Sequence, residues 1–451
     1  MGAESSEKGR PGRAPGLSYQ DMLAGDSKPV PETLRGESSQ APTSWYVPRD
    51  RYFSRDYHDL EVERLWRRVW QMACREEEIP EVGDHVVYEV GDLSILVVRS
   101  EAERIRAFHN TCLHRGRRLR DDAGNMQKIR CPFHGWTWEL DGSLSRIPCR
   151  WDFPEVRDED YQLPELQVGR WGGFVFVNPD VEAEPLDAFL GDLSHHFERW
   201  PLEARYVKAH VARVLPCNWK VAQEAFMESY HVVSTHPQLL PSFNDTGSQY
   251  DVFGNWSRAI SPSGAPSPQL ERDYSEQEII DWMTYRYEDQ PSSFRISDGL
   301  TARQVYAKVM RASLQPLVPG AADLSDTEVC DFMFYTLFPN FHPWGGYNPI
   351  CYRFRPYENE PERSVMEVYQ LHPFRGKRPP PAPVHWLAID EPWTEAPELG
   401  LLARIFEQDM ANLAHVQRGL RASARPGVTF ANYQEVKIRH FHDLLDRYLG
   451  A

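Results

Sequence analysis

The sequence predicts an α+β chain: an all-β module in the first half, then a half that mixes helices with an antiparallel sheet. Three observations point there. From about residue 83 the chain reads as short β-branched runs, "HVVYEV", "LSILVVRS" and "IRAFHN", broken by Gly-Asp turns. Late in the chain two stretches, 397–420 and 434–449, carry apolar residues at helical spacing. At 451 residues with 41% apolar content, the chain has the material for two or three domains with real cores.

In order along the chain, residues 1–44 are rich in Gly, Ser, Pro, Glu and Arg and are expected to be a disordered tail. "DLEVERLWRRVWQMAC" (59–74) has helical spacing at Leu60, Val62, Leu65, Val69 and Met72. "WTWELDGSL" (136–144) reads as a hairpin turning at Asp141-Gly142. "GGFVFVN" closes the β module near residue 178, so the first domain is expected over 45–178 and the second over 179–451. In the second half, "LDAFLGDLSHHFERW" (186–200) and "NWKVAQEAFMESYHVV" (218–233) read as helices, and "VCDFMFYTLFPNF" (329–341) and "RSVMEVYQLHPF" (363–374) as strands. The Pro-, Ser- and acid-rich stretch 262–325 is expected to carry helices that cap a pocket.

The bulk numbers exclude several classes. A net charge of −16 argues against nucleic acid as the main partner. No apolar run is long enough to span a membrane, and the N-terminus shows no secretory h-region. Seven cysteines, an odd number in so long a chain, do not make a disulfide framework and fit a reduced, cytoplasmic setting.

Two constellations carry chemistry. Cys112 and His114 form a Cys-x-His pair, and Cys131 and His134 a Cys-x-x-His pair sixteen residues further on. Such a set can bind zinc or an iron–sulfur cluster. Zinc modules usually pair Cys with Cys and His with His, whereas each pair here is mixed. A [2Fe–2S] cluster with two thiolates on one iron and two imidazoles on the other needs one of each from every loop. Pro132 stiffens the second loop, Gly135 permits a tight return, and Trp136 and Trp138 can shield a cluster from water. Cys74, Cys149, Cys217, Cys330 and Cys351 share no such spacing and are expected to be ordinary buried thiols. Arg115, Arg117, Arg118 and Arg120 crowd the first loop, either docking an acidic redox partner or making structural contacts.

The second constellation is His231 and His236. Five residues apart on an ideal helix, their rings would diverge by about 140°. Pro237 pushes His236 out of helical geometry, so both imidazoles can reach one metal, or serve as structural groups at a helix end. Asp409 sits within the apolar stripe Leu402, Ile405, Leu413, Val416 and Leu420. A carboxylate on a core-facing stripe needs a metal or a cationic partner. Two His and one carboxylate would make the open face of a non-haem Fe(II) site. Asn218 is a plausible N-cap, and Glu224, one heptad before His231, either supports the site or faces solvent. Phe332, Phe334 and Phe338 line a cavity or fill the core.

Together these features resemble the large (alpha) subunit of the Rieske non-haem iron oxygenases, the aromatic-ring-hydroxylating type. The motifs are the Cys-x-His and Cys-x-x-His pairs, then "NWK", an acidic residue three before the first His, His-x₄-His and a late helical Asp. The resemblance covers about residues 45–451. It implies a Rieske [2Fe–2S] domain followed by a helix-grip (START/Bet v1-like) catalytic domain. It implies that Cys112, His114, Cys131 and His134 hold the cluster and that His231, His236 and Asp409 hold a mononuclear Fe(II). Glu228 would be the bridge to a neighbouring subunit's Rieske histidine; Glu at that place resembles the carnitine- and choline-type oxygenases. The resemblance further implies O₂ as co-substrate and NAD(P)H electrons arriving through a separate reductase, with or without a ferredoxin, since no GxGxxG lies at a strand–helix junction here. It implies a head-to-tail homotrimer, with or without a small beta subunit, acting on an aromatic or other apolar ring compound. The alternatives are a monooxygenase or demethylase of quaternary ammonium or N-/O-methyl substrates, and a Rieske electron carrier without oxygenase activity.

Overall fold

The computed structural model describes residues 17–38, 42–285, 293–297 and 299–450. Two mainly antiparallel sheets organise the chain. The first runs in spatial order Gln71–Arg75, Phe174–Asn178, Glu165–Trp171, Arg104–His109, Leu93–Glu101, Asp84–Val90 and Gly124–Asn125. A three-stranded sheet, Ile129–Arg130, Thr137–Trp138 and Leu144–Arg146, stands beside it and carries the hairpin at Gly142. The eight-stranded sheet of the second half runs Gln249–Val252, Trp256–Ser261, Phe332–Leu337, Phe341–Pro343, Ile350–Tyr357, Glu360–Pro373, Arg205–Leu215 and Val384–Leu387. Its last pair is parallel; the other pairs are antiparallel. The helices Leu402–Ala422 and Val436–Leu449 pack against this half.

One core joins the two halves. Phe174 and Phe176, on the first sheet, meet the Phe341 ring of the second at 4.8 and 5.6 Å between centroids. Arg353, buried on Ile350–Tyr357, donates to the Met72 and Ala73 carbonyls at 2.8 and 2.6 Å while Glu367 neutralises it at 2.6 Å. A second, smaller core surrounds the cluster-type cysteines, with Leu96, Val98, Phe108, Trp136 and Trp138.

Several expectations need correction. The predicted tail does not hold over 17–38: Tyr19–Ala24 and Glu32–Arg35 are helical, and Tyr19, Leu23 and Leu34 are buried. Few apolar residues suffice there because polar contacts to the second half hold the segment, Asp26 to Arg303 at 3.1 Å and Ser27 N–H to Asp326 at 2.8 Å. The rest of that predicted tail, 1–16 and 39–41, lies outside the described residues, while 42–44 are described and tied down through Asp443, which accepts from Thr43 N–H at 2.8 Å. The helix expected over 59–74 is shorter: Arg55–Glu61 continues as one π turn, Val62–Trp66, and Gln71–Arg75 is a strand buried on both faces. A run buried on both faces has no periodicity to separate strand from helix. The helix expected over 186–200 is two short ones, Leu186–Leu190 and Leu193–His196, divided at Gly191, whose φ is 57°. Cys149 is exposed rather than buried; all seven cysteines are unpaired. The stretch 262–325 does carry helices, Glu276–Tyr285 and Ala302–Leu314 among them. No helix among the described residues is long and apolar enough to cross a membrane.

Candidate functional site

The two Cys/His loops repeat one local design. Cys112 N–H donates to the Arg117 carbonyl at 2.8 Å, and Cys131 N–H to the Trp136 carbonyl at 2.8 Å. Gly116 N–H returns to the Cys112 carbonyl at 3.0 Å, and Gly135 N–H to the Cys131 carbonyl at 3.1 Å. Both glycines adopt φ near +75°, 73° and 76°, which only glycine takes up without strain. The thiols Cys112 and Cys131 are buried, and His134 is exposed. The His114 and His134 rings lie 4.7 Å apart, and His114 stacks on Trp136 at 5.1 Å with an interplanar angle of 1°. His114 Nδ1 is buried and has no hydrogen-bond partner, as a nitrogen reserved for a metal would be. Two buried sulfurs below and two imidazoles above fit a [2Fe–2S] cluster ligated by two thiolates and two histidines.

The arginines of the first loop are mostly engaged at home. Arg117 pairs with Asp121 at 2.7 Å, Arg118 with Glu89 at 2.5 Å, and Arg120 donates to the Leu119 and Arg130 carbonyls. Arg115 lies over the Phe133 ring.

The second site assembles from three elements. Asn218 caps the helix Trp219–Glu224 by accepting from Lys220 N–H at 2.9 Å. The helix expected to run on to residue 233 stops at Glu224, where Phe226 and Met227 N–H turn back to the Gln223 and Glu224 carbonyls at 2.9 and 3.1 Å; further on, side chains take two amides, Ser229 N–H donating to Tyr250 Oη and His231 N–H to Glu228 Oε2, both at 3.0 Å. A short helix, Val232–Thr235, follows, and His236 leaves helical geometry at φ −127°, ψ 50° ahead of Pro237. His231 and His236 thereby face each other, ring centroids 5.2 Å apart. From the helix Leu402–Ala422, Asp409 Oδ1 lies 2.9 Å from His236 Nε2 and 3.6 Å from His231 Nε2. The three ligand atoms lie within 4.8 Å of one another, and Asp409 is 4% exposed.

The far side of each ring is anchored. His231 Nδ1–H donates to Glu228 Oε1 at 2.7 Å, and His236 Nδ1–H to Gln408 Oε1 at 2.8 Å. Both Nε2 lone pairs are thus turned toward Asp409, and a cation between them satisfies all three groups. Burial opposes charge on His231, but the Glu228 and Asp409 carboxylates outweigh it and raise its pKa to about 9. That environment favours positive charge, and a divalent metal supplies it.

Beside the triad lies a chamber of about 140 Å³, lined by aromatic rings including Phe226, Phe243, Phe334, Trp344, Tyr352 and Phe406. Phe332 lines it too, whereas Phe338 packs in the core on Phe441 and Tyr448. The apolar stripe on Leu402–Ala422 is rotated from expectation: Phe406, Asp409, Leu413, Gln417 and Leu420 are buried and Val416 is 46% exposed. Leu402 and Ile405 face the chamber instead. Glu224 does not touch the triad; it accepts from Tyr52 Oη–H at 3.1 Å and lies 3.0 Å from His442 Nε2. Gln408 and the other chamber rings, Phe226, Phe243, Trp344, Tyr352 and Phe406, went unrecognised from sequence. The only signal for Gln408 was adjacency to Asp409.

Comparison with known proteins finds a family domain in each half of the chain. Residues 69–157 match the Rieske [2Fe-2S] domain, and residues 192–451 match the ring hydroxylating alpha subunit (catalytic domain). A glycine betaine monooxygenase oxygenase subunit of Pseudomonas aeruginosa (strain UCBPP-PA14) is 31% identical over 229 residues, 50% of this chain and 51% of that one. Biphenyl 2,3-dioxygenase subunit alpha of Rhodococcus jostii (strain RHA1) is 34% identical over 191 residues, 41% of this chain and 42% of that one. The chain thus spans about half the length of the curated relatives it matches. In fold it is similar to a quaternary ammonium Rieske monooxygenase in complex with L-carnitine, with TM-score 0.63, 18% identity and coverage of 90% and 96% of the two chains. It is equally similar to a naphthalene 1,2-dioxygenase mutant bound to phenanthrene, with TM-score 0.63, 18% identity and coverage of 91% and 94%. With a catalytic-domain match over more than half its length and a Rieske domain ahead of it, the chain belongs to the ring hydroxylating alpha subunit family.

Proposed function

We propose that this protein is the oxygenase component of a multicomponent system that hydroxylates an apolar, ring-bearing small molecule. The observation that carries the reading is the open His231–His236–Asp409 face at the wall of an aromatic chamber. In the overall reaction R–H, O₂, two electrons and two protons give R–OH and water; dihydroxylation retains both oxygen atoms in the product.

In this reading Cys112, His114, Cys131 and His134 hold the cluster, and His231, His236 and Asp409 hold ferrous iron, which supplies the O₂-reducing chemistry when bound. Glu228 and Gln408 fix the two ring tautomers. The aromatic wall excludes water and presents the substrate's C–H bond. Electrons come from an NAD(P)H-dependent reductase, directly or by way of a ferredoxin, and enter at the exposed His134 edge. Glu228 bridges to the cluster histidine of a neighbouring copy in a homotrimer, an arrangement a heterologous interface can close. A small beta subunit is compatible with that ring. Seven unpaired cysteines support a cytoplasmic setting.

A second reading, oxidation of a quaternary ammonium or methylated substrate, draws on Glu228, on the glycine betaine monooxygenase relative and on the affinity of aromatic walls for such cations. A Rieske electron carrier without oxygenase activity is the outside reading, and it leaves the convergent triad without a task.

Iron and acid-labile sulfide analysis with EPR of the reduced protein is the first test. About three irons and two sulfides per chain, with a Rieske-type signal, are expected. O₂ uptake with reductase and NAD(P)H, comparing aromatic hydrocarbons with glycine betaine, then separates the two oxygenase readings. Iron at the cluster alone, after Fe(II) reconstitution, would leave the electron carrier.

A further inference from the structure

The wall of the triad's chamber is mostly apolar, and nearly all of its polar groups are already engaged. His231 and His236 are held by Glu228 and Gln408 and turn their other nitrogens to Asp409. Ser229 Oγ shares a hydrogen bond with Ser261 Oγ at 2.8 Å. That leaves the Trp344 indole N–H and the Tyr352 hydroxyl. The two differ in access. Trp344 Nε1 is sealed within the protein without a hydrogen-bond partner. Tyr352 Oη also has no partner among the described residues, but it is not sealed off: it borders open space, and the space that Tyr352 lines is the chamber.

Packing fixes where that hydroxyl stands. Tyr352 is on the strand Ile350–Tyr357 and is 3% exposed. Its ring packs against Phe226 and Phe406 at 5.1 and 5.9 Å between centroids, with Trp344 perpendicular to it at 6.0 Å. Phe406 and Asp409 are three residues apart and share a helix face, so a ring on Phe406 lies beside Asp409. Burial and the Asp409 carboxylate both raise the phenol well above its ordinary pKa. The hydroxyl therefore keeps its proton and acts as a donor. A ligand that covers it without accepting strands a buried O–H, whereas one that brings an oxygen there satisfies it.

We infer that Tyr352 determines specificity: its hydroxyl donates a hydrogen bond to an oxygen of the substrate, an otherwise apolar ring compound bearing a carbonyl, ether or hydroxyl group. That bond sets the register of the ring in the chamber, and with it the C–H bond that meets the triad. The inference rests on the oxygenase reading and narrows its substrate class from ring compounds at large to those with an accepting oxygen.

Calorimetric titration of the oxidised, iron-loaded, full-length protein without reductant tests this independently of turnover. The probes are acetophenone and α-methylstyrene, single-ring molecules of matching shape in which a carbonyl oxygen stands in place of a methylene group. Tyr352→Phe deletes the donor and leaves the ring. The affinity of acetophenone relative to α-methylstyrene should fall at least about threefold in that variant, and α-methylstyrene itself should bind no more weakly. Isotope-edited infrared spectra of bound acetophenone read the same bond in the unaltered protein. The carbonyl stretch should lie below its position in an alkane, as a hydrogen-bonded carbonyl does, and return toward that position in Tyr352→Phe. An alkane-like stretch in the unaltered protein, a downshifted stretch that persists in the variant, a relative affinity that falls less than about threefold, or no binding of either probe would each overturn the role of Tyr352. The oxygenase reading stands or falls separately, on the iron and sulfide content.

Discussion

The two ligand sets of this chain are built in opposite ways. Cys112 to His134 is one contiguous stretch whose two loops share a single turn design and end at the surface, His134 being exposed. His231, His236 and Asp409 come from segments 173 residues apart, and His236 and Asp409 are 3% and 4% exposed. The first set is local and reaches the surface. The second depends on the whole second half being folded and faces inward to a chamber walled mainly by apolar side chains. Local geometry suits a site that exchanges only electrons. A site that must exclude water and select a substrate needs walls from many elements.

The sharpest way to break that contrast is to remove one ligand at a time. Cys131→Ser should abolish the Rieske EPR signal and reduce reductase-driven turnover to background. Iron at the triad should remain, because the sites share no ligand. Loss of both irons in this variant would refute the independence of the two sets. Asp409→Ala should do the converse: the cluster spectrum stays, iron falls from about three to about two per chain, and turnover drops at least about 100-fold. Surviving turnover would refute the triad.

Gln408→Leu should have a smaller effect. It removes the acceptor of His236 Nδ1–H, so Fe(II) affinity should weaken by about 10–100-fold while the fold and cluster stay intact. Equilibrium dialysis against Fe(II) measures it. An unchanged affinity would mean that packing alone holds the ring.

The smallest effect belongs to Glu224, away from both sites. Burial raises its pKa to about 8, above the ordinary 4.5, despite hydrogen bonding to Tyr52. The folded state therefore keeps a proton that the unfolded chain releases, and stability present below about pH 4.5 is lost as pH rises through about 8. Glu224→Gln should flatten the decline in melting temperature between these pH values. An equal slope in both proteins would mean that Glu224 ionises freely.

The same contrast explains what was legible in the sequence. The cluster set could be read outright because its ligands are close along the chain and its turn glycine, Gly135, follows the last ligand directly. The triad was legible only in pieces. Pro237 foretold the break at His236, and Asp409 stood out as a charge amid apolar spacing. The stripe around it was misjudged because Leu402 and Ile405 line a cavity and Val416 is exposed, so apolar spacing did not equal core. The premature end of the helix at Glu224, where Phe226 and Met227 N–H turn back three residues, is marked by no Gly or Pro between Gln223 and Glu228. The docked segment 17–38 was obscured for another reason: its partners Arg303 and Asp326 lie some three hundred residues away.

The core shared by the two halves carries a consequence for unfolding. Phe174 and Phe176 cannot leave Phe341, nor Arg353 the Met72 and Ala73 carbonyls, without opening both sheets at once. The halves should therefore melt in one calorimetric transition. A cluster that binds only the native state then stabilises the iron pocket as well as its own loops, by mass action through the shared interior. Assembling the first cofactor thus makes the second site more robust, although the two have no ligand in common.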